Sequence, residues 1–150
     1  MIRVATLADV PQLVELGKRV HAESPRYSRL SYSEARVADA LEGLITNVDG
    51  LALVHEHEGR IAGYVLAFIQ PEWFSDTLTA NELVLYVVPE LRGTTIGPAL
   101  IGGLVAWAAQ RGVPYVQAGV ASGILTEQTA KLYEHVGFSR CGILLEREFR

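Results

Sequence analysis

The sequence predicts a mixed α/β (α+β) domain in which a central sheet of six to seven strands is flanked by four helices. Strand-like apolar runs and segments with helical apolar spacing follow one another in the order β-α-α-β-β-β-α-β-α-β(-β). Near the middle, Glu58-Gly59 separates two apolar runs, which is the turn chemistry of a β-hairpin. A hairpin combined with helical crossovers gives a sheet with both antiparallel and parallel strand pairs.

The first half of the chain supplies three strands and two helices. Residues 2–5 form a short strand, and apolar residues at helical spacing then predict a helix up to about His21. A second helix follows from Ser31, with its apolar positions spaced for one buried face. Residues 51–57 and 61–70 are the two arms of the hairpin.

The second half alternates strands and helices. Residues 82–88 are a nearly continuous apolar run suited to a strand buried on both faces, and an uncharged apolar helix follows from Pro98. Residues 115–120 form the next strand, and residues 126–137 form a last helix that stops at Gly137. Residues 139–149 are predicted to give one or two closing strands.

Length, charge and cysteine content limit the function classes. The 150 residues suit a single domain over residues 1–150. The formal charge of −4 and the absence of a basic run argue against nucleic-acid binding. The single Cys141 excludes an internal disulfide and fits a reducing, cytoplasmic compartment. The longest uncharged stretch, residues 93–110, contains glycines and prolines and makes a poor membrane span.

Residues 82–100 organise the chain as a strand, a Gly/Thr loop and the start of a helix. The unpaired N–H groups at a helix N-terminus and the helix dipole together favour an anion. Gly93 and Gly97 allow the backbone to approach a ligand closely, and Arg92 can supply a full positive charge. The stretch is therefore a candidate seat for a pyrophosphate, although a corner without a ligand is the plain alternative.

Comparison with known phosphate-binding motifs indicates which kind of site this loop could be. The Walker pattern fails because Pro98 occupies the position of its second glycine, and the G-x-G-x-x-G fingerprint is absent. Residues 87–97 read Val-Val-Pro-Glu-Leu-Arg-Gly-Thr-Thr-Ile-Gly. They resemble the motif V-x-P-x-x-R/Q-G-x-G-x-G/A of the GCN5-related N-acetyltransferase (GNAT) family, with Thr95 in place of the middle glycine.

A second motif supports the resemblance. Residues 130–138 match the family motif A-x-x-L-Y-x-x-x-G-F. The predicted order of helices and strands is also that of the family's fold, so the resemblance covers essentially the whole chain. The family often has Asn three positions before that alanine, where this chain has Glu127. Glu23-Ser24-Pro25, taken together with residues 119–124, resembles small transferases encoded by tailed phages. The resemblance to the GNAT family implies a GNAT-type sheet and acetyl-CoA as co-substrate. The residues implied for cofactor binding are Leu85, Tyr86, Val87, Arg92, Gly93, Thr94, Thr95, Ile96 and Gly97.

Two side chains are candidates for catalysis. A protonated amine must lose its proton before it attacks a thioester, and a carboxylate with a raised pKa can accept that proton. Glu82 lies at the predicted start of the central strand, near the place where family members often carry a general base. The resemblance implies that Tyr133 protonates the leaving sulfur. The plain alternatives are a surface charge at a strand end and a packing aromatic.

The acceptor side is less well defined. In the resembled family the connection between the first two helices lines the acceptor pocket, so His21, Glu23 and Tyr27 are candidate substrate contacts, or simply solvated loop residues. Trp73 and Phe74 are candidates for an aromatic acceptor wall, or for a cap on the core. His55 and His57 share one strand face, but no further ligand completes a metal site, so no metal is expected.

The function predicted from these observations is acetyl transfer from acetyl-CoA to a primary amine of a small molecule or a protein. Two alternatives remain: transfer of a longer acyl chain or to a hydroxyl, and a CoA-binding regulatory or assembly module without catalysis. Thr95 and Glu127 keep the module in consideration. The apolar residues 143–145 suit pairing across a homodimer, and equally a buried inner strand.

Overall fold

The computed structural model describes residues 1–149, which form one five-stranded sheet with four α-helices. In chain order these elements are β1 (Ile2–Val4), α1 (Val10–Glu23), α2 (Glu34–Thr46), β2 (Gly50–His57), β3 (Arg60–Pro71), β4 (Leu78–Val87), α3 (Ile96–Gln110), β5 (Tyr115–Gln117) and α4 (Thr126–His135). The strands lie in the order β1-β2-β3-β4-β5. The first three pairings are antiparallel and the β4–β5 pairing is parallel, which confirms the predicted mixed sheet.

The strand count is lower than predicted, because residues 139–149 contain no strand. A closing strand needs a partner, and β5 is only three residues long, so it offers a short ladder. The segment is instead joined to the region after α1 by side chains: Arg26 and Arg29 both form ion pairs with Glu146. Ile143 and Leu145 remain exposed there.

Helix α3 is packed tightly against the sheet. Leu100, Ile101 and Leu104 are fully buried, and burial of each such side chain is worth roughly 1.5–3 kcal/mol. Gly63 of β3 permits this approach, since a Cβ at this position would lie only 3.1 Å from both Ile96 Cγ2 and Leu100 Cδ1 of α3. The close packing fixes the N-terminus of α3 beside the central strand.

Strand β4 is irregular on both of its sides. Leu66 is paired with Val84 and Ala67 with Glu82, so Leu83 is an extra residue in β4 and forms a β-bulge. The pairing with β5 covers only Thr79–Asn81. Within residues 1–149, the rest of β4 therefore has a free edge.

This geometry corrects the predicted position of Glu82. Strand β4 begins at Leu78, so Glu82 lies in the middle of the strand, directly before the bulge, and not at the strand's start. The sequence signal missed the first residues because Thr79 and Asn81 interrupt the apolar run. The strand also lines a cavity, which is why it is only partly buried where burial on both faces was predicted.

Candidate active site

A cavity of about 810 Å³ wraps around the free edge of β4. Helices α1 and α2 bound it on one side, and the N-terminus of α3, the loop after β5 and helix α4 bound it on the other. Both candidate catalytic side chains, Glu82 and Tyr133, line its wall. The cavity thus joins the predicted cofactor loop to the predicted acceptor region.

Glu82 has the electrostatic character of a general base. Burial disfavours its charged form and raises the pKa of its carboxyl from 4.5 to about 7. Hydrogen bonds from the Tyr133 hydroxyl and the Gly119 backbone oppose this shift, but burial has the larger effect. A carboxyl with a pKa near neutrality can both accept and release a proton under physiological conditions.

Tyr133 is held against Glu82 by helix α4. Its hydroxyl donates a hydrogen bond of 3.0 Å to Glu82 Oε2, and the tyrosine is only 4% exposed. Its ring packs edge-on against Phe138, with 5.1 Å between the ring centroids. Burial, reinforced by the Glu82 carboxylate, raises the pKa of the Tyr133 hydroxyl, so the phenol carries its proton at neutral pH.

The free edge of β4 presents main-chain groups to the cavity. The Val88 N–H donates to the Ala62 carbonyl at 2.9 Å, and alternate residues of the strand share that direction. The Tyr86 amide therefore faces β3, whereas the amides of Leu85 and Val87 face away from β3, toward the free edge. The Val87 carbonyl at this edge accepts a 3.0 Å hydrogen bond from Arg92 Nε.

The loop between β4 and α3 has the geometry of an anion site. Gly93 has a φ of +80°, which favours glycine, and no heavy atom lies within 4 Å of the place where its Cβ would be. The Thr94 hydroxyl donates to the Leu91 carbonyl at 2.6 Å and shapes the turn. Helix α3 begins at Ile96, which is buried, immediately after Thr95. A Cβ at Gly97 would approach Leu132 Cδ2 at 3.1 Å, so this glycine lets α3 and α4 meet.

The Arg92 side chain lies against Glu23 at the end of α1. Both guanidinium Nη atoms contact the Glu23 carboxylate, with 2.9 Å between Nη2 and Oε2. The Tyr86 hydroxyl also donates to Oε2, at 3.1 Å. The Arg92 guanidinium lowers the pKa of Glu23, and the carboxylate in turn raises the pKa of Arg92. Glu23, predicted as a substrate contact, thus joins α1 to the loop that begins at Arg92.

The remaining acceptor candidates are divided between two places. His21 and Tyr27 line the cavity, and His21 Nε2 donates to the Leu30 carbonyl at 2.6 Å. Trp73 and Phe74 are 92% and 70% exposed and lie outside the residues that line this cavity. Phe74 instead lines a separate recess of about 380 Å³. The structure therefore does not bring this aromatic pair to Glu82.

Several cavity residues were not predicted from the sequence. Tyr64 and Leu66 line the side formed by α1, α2 and β3, and Gly119 contacts Glu82 from the loop after β5. The signal for Gly119 was its place at the carboxyl end of a parallel strand, where ligand-binding loops collect. The other two looked like ordinary core residues.

Two further features bear on the function classes. Within residues 1–149, no three His, Cys, Asp or Glu side chains are grouped so that they could hold a metal ion. Across the same residues, every helix is too short or too polar to cross a bilayer.

The chain belongs to the acetyltransferase (GNAT) family, whose family model matches residues 18–138. No curated protein matches the sequence with significant similarity.

Solved structures with the same fold cover almost all of the chain. A predicted acetyltransferase with acetyl-CoA from Clostridium acetobutylicum has a TM-score of 0.77 at 20% identity, covering 99% of this chain and 95% of that one. A transcriptional regulator from Bacillus halodurans C-125 has a TM-score of 0.79 at 20% identity, covering 99% of both chains. An aminoglycoside acetyltransferase from an uncultured soil metagenomic sample, in complex with sisomicin, has a TM-score of 0.74 at 15% identity, covering 100% and 95%. The TM-scores establish the shared fold.

Proposed function

We propose that this protein transfers an acetyl group from acetyl-CoA to a primary amine, by direct attack of the amine on the thioester. One observation carries the proposal: the free edge of β4 lies beside a carboxyl, that of Glu82, whose pKa is about 7 and which accepts a hydrogen bond from Tyr133. A general base for an amine needs a pKa close to the working pH.

The residues present fit the co-substrate. The loop at Gly93–Thr94 and the N-terminus of α3 would hold the phosphates through main-chain N–H groups, because the left-handed Gly93 leaves open space there. The outward-facing amides of Leu85 and Val87 would hold the pantetheine amide groups as a neighbouring strand does. Bound in this way, the co-substrate supplies the acetyl group as a thioester. The Arg92 side chain, which is paired with Glu23, would contribute mainly by fixing the loop.

Glu82 and Tyr133 can complete the proton transfers. The ammonium group first loses one proton to solvent, and Glu82 accepts a second proton from the neutral amine as the new N–C bond forms. Tyr133 donates its proton to the sulfur as the C–S bond breaks. The proton held by Glu82 then returns to Tyr133 along their 3.0 Å hydrogen bond, which restores both groups. Each step after the loss to solvent needs only side chains that already touch one another.

The compartment and the acceptor class are proposals of the same kind. The exposed free thiol of Cys141 suits a reducing compartment such as the cytoplasm. Both small-molecule and protein amines are candidate acceptors, and the resemblance in fold to an aminoglycoside acetyltransferase makes aminoglycosides one class to test.

The experiment combines binding and turnover. Calorimetry with acetyl-CoA measures affinity, and thiol release over a panel of amines measures transfer, with mass spectrometry to detect the added acetyl group. We expect acetyl-CoA to bind and at least one amine to be acetylated. Binding without turnover on any amine would instead favour a CoA-binding module, and absence of binding would remove both functions.

A further inference from the structure

The cavity wall between α1, α2 and β3 is almost entirely apolar and aromatic. We call this part the apolar compartment and define it by Val20, Tyr32, Val37, Leu41, Tyr64 and Leu66, all of which line the cavity. Gly63 faces Ile96 at the N-terminus of α3, and side chains alternate along β3, so Tyr64 and Leu66 lie on the opposite face, away from the proposed place of the coenzyme phosphates. The occupant of the apolar compartment is therefore the other substrate.

Two polar groups at this wall, the Tyr32 hydroxyl and the His21 ring, are already engaged within the protein. The Tyr32 hydroxyl donates to the Val14 carbonyl at 2.8 Å, so the tyrosine presents its ring to the cavity. The His21 ring stacks at a tilt on the Tyr32 ring, with 5.4 Å between the centroids, and its Nε2 is bonded to Leu30. The compartment thus offers ring faces and methyl groups, with few free hydrogen-bonding groups.

Charge in the cavity is equally sparse. Among the described residues that line it, Glu82 is the one carboxylate, and Arg92 is a cation. Glu23 lies close by, but its charge is matched by the Arg92 guanidinium. A substrate with several ammonium groups would have to bury the additional charges without a partner, which is strongly unfavourable.

From these observations we infer that the acceptor is a monoamine with an apolar or aromatic body, and that polycationic amines such as aminoglycosides and polyamines are poor acceptors. The inference rests on the proposed acetyl transfer. The cavity continues around the free edge of β4, so the single amino group reaches Glu82 on the Ala67 face while the apolar body of the substrate fills the apolar compartment on the opposite face. Specificity then comes from burial of the body and from the lack of a second anion.

A matched pair of amines tests the inference. Hexylamine and hexamethylenediamine share a six-carbon chain, and the diamine carries an ammonium group in place of a hydrogen at the far end. We expect kcat/KM, measured by thiol release with acetyl-CoA, to be at least about tenfold higher for hexylamine, because its far end is transferred from water to an apolar wall. Equal or faster turnover of the diamine would overturn the inference while leaving acetyl transfer to amines established.

A variant provides a second test, which compares the kcat/KM ratio of the two amines between proteins. Ala40 of α2 is exposed and lines the cavity, so Ala40→Glu places a second carboxylate at its rim without disturbing the core. We expect this change to reduce the preference for hexylamine at least threefold, on the order of one weak ion pair. Ala35→Glu lies on the same helix, is exposed and does not line the cavity, and it should leave the preference unchanged. An equal effect of both variants would contradict the inference.

Measuring amine binding by calorimetry tests this inference even if the proposed function fails. If no amine is acetylated, the proposed function fails, and calorimetric titration of hexylamine and hexamethylenediamine into the acetyl-CoA-loaded protein decides the acceptor class alone. Tighter binding of hexylamine would support the inference. Equal or tighter binding of the diamine would overturn it.

Discussion

Tyr133 and Glu82 are 51 residues apart in sequence, and the tyrosine hydroxyl donates a 3.0 Å hydrogen bond to the glutamate carboxylate. The contact joins helix α4 to strand β4, just after the residues where β4 is paired with β5. It also couples two titrations, because each group changes the pKa of the other. A substitution at one residue should therefore be visible in the pH dependence of the other.

Replacement of Glu82 by Gln should remove the general base with little change in shape. We expect kcat to fall by about 10²–10⁴-fold, the usual contribution of a positioned base. In the wild type, kcat/KM for an amine should rise with pH and bend near the Glu82 pKa of about 7. The bend should be absent in the variant. Glu42→Gln, an exposed change on α2, is the matched control, and a bend that persists in Glu82→Gln would contradict the assignment.

The same carboxyl should make stability depend on pH. The folded protein binds the Glu82 proton more tightly than the unfolded chain, because burial raises the pKa from 4.5 to about 7. The stabilising effect of this protonation is present below pH 4.5 and is lost as the pH rises through 7. Over that range the wild type should lose about 3 kcal/mol of unfolding free energy relative to Glu82→Gln. Denaturant unfolding of both proteins at several pH values checks this, and a constant difference would disprove the shift.

Replacement of Tyr133 by Phe should separate chemistry from cofactor binding. We expect kcat to fall by about 10²-fold through loss of the acid, while the acetyl-CoA Kd changes less than about twofold. Loss of the hydrogen bond also removes an effect that lowers the Glu82 pKa, so the bend in the pH–rate profile should move to higher pH. Measured Kd values and a pH profile test both statements. A profile that moves to lower pH would show that the hydroxyl does not stabilise the carboxylate.

Gly63 should be intolerant of a side chain. A Cβ there would lie 2.9 Å from the Tyr86 carbonyl oxygen and 3.1 Å from both Ile96 Cγ2 and Leu100 Cδ1. Gly63→Ala should therefore destabilise the protein by about 1–3 kcal/mol, as overpacking does. Gly102→Ala is the control, since nothing lies within 4 Å of its Cβ position and alanine favours the helix by about 0.5–1 kcal/mol. Thermal unfolding of both variants should give shifts of opposite sign.

The sequence was informative where local pattern and structure coincide. The order of helices and strands, the hairpin at Glu58-Gly59 and the loop before α3 were all predicted, because each depends on residues close together in the chain. Glu82 and Tyr133 were singled out separately, and the structure brings them into contact. Their spacing in sequence contains no information about that contact.

Long-range contacts account for what the sequence did not predict. The ion pair of Arg92 with Glu23 joins residues 69 apart, so a side chain that looked free for a phosphate is already occupied. The prediction of closing strands in residues 139–149 was wrong because a local sequence pattern does not specify a partner strand. Exposure of Trp73 and Phe74 is likewise a property of the assembled surface and not of the local pattern.

The β-bulge at Leu83 determines on which face of the sheet the Glu82 carboxylate lies. Side chains alternate between the faces of a strand, so with an unbroken pleat Glu82 would stand opposite Phe68, on the face turned toward α1 and α2. The insertion places Glu82 on the Ala67 face instead, where the Tyr133 hydroxyl of α4 donates a hydrogen bond to it. A change of register that paired Leu83 with Ala67 would keep every functional side chain in the sequence and still turn the carboxylate to the wrong side of the protein.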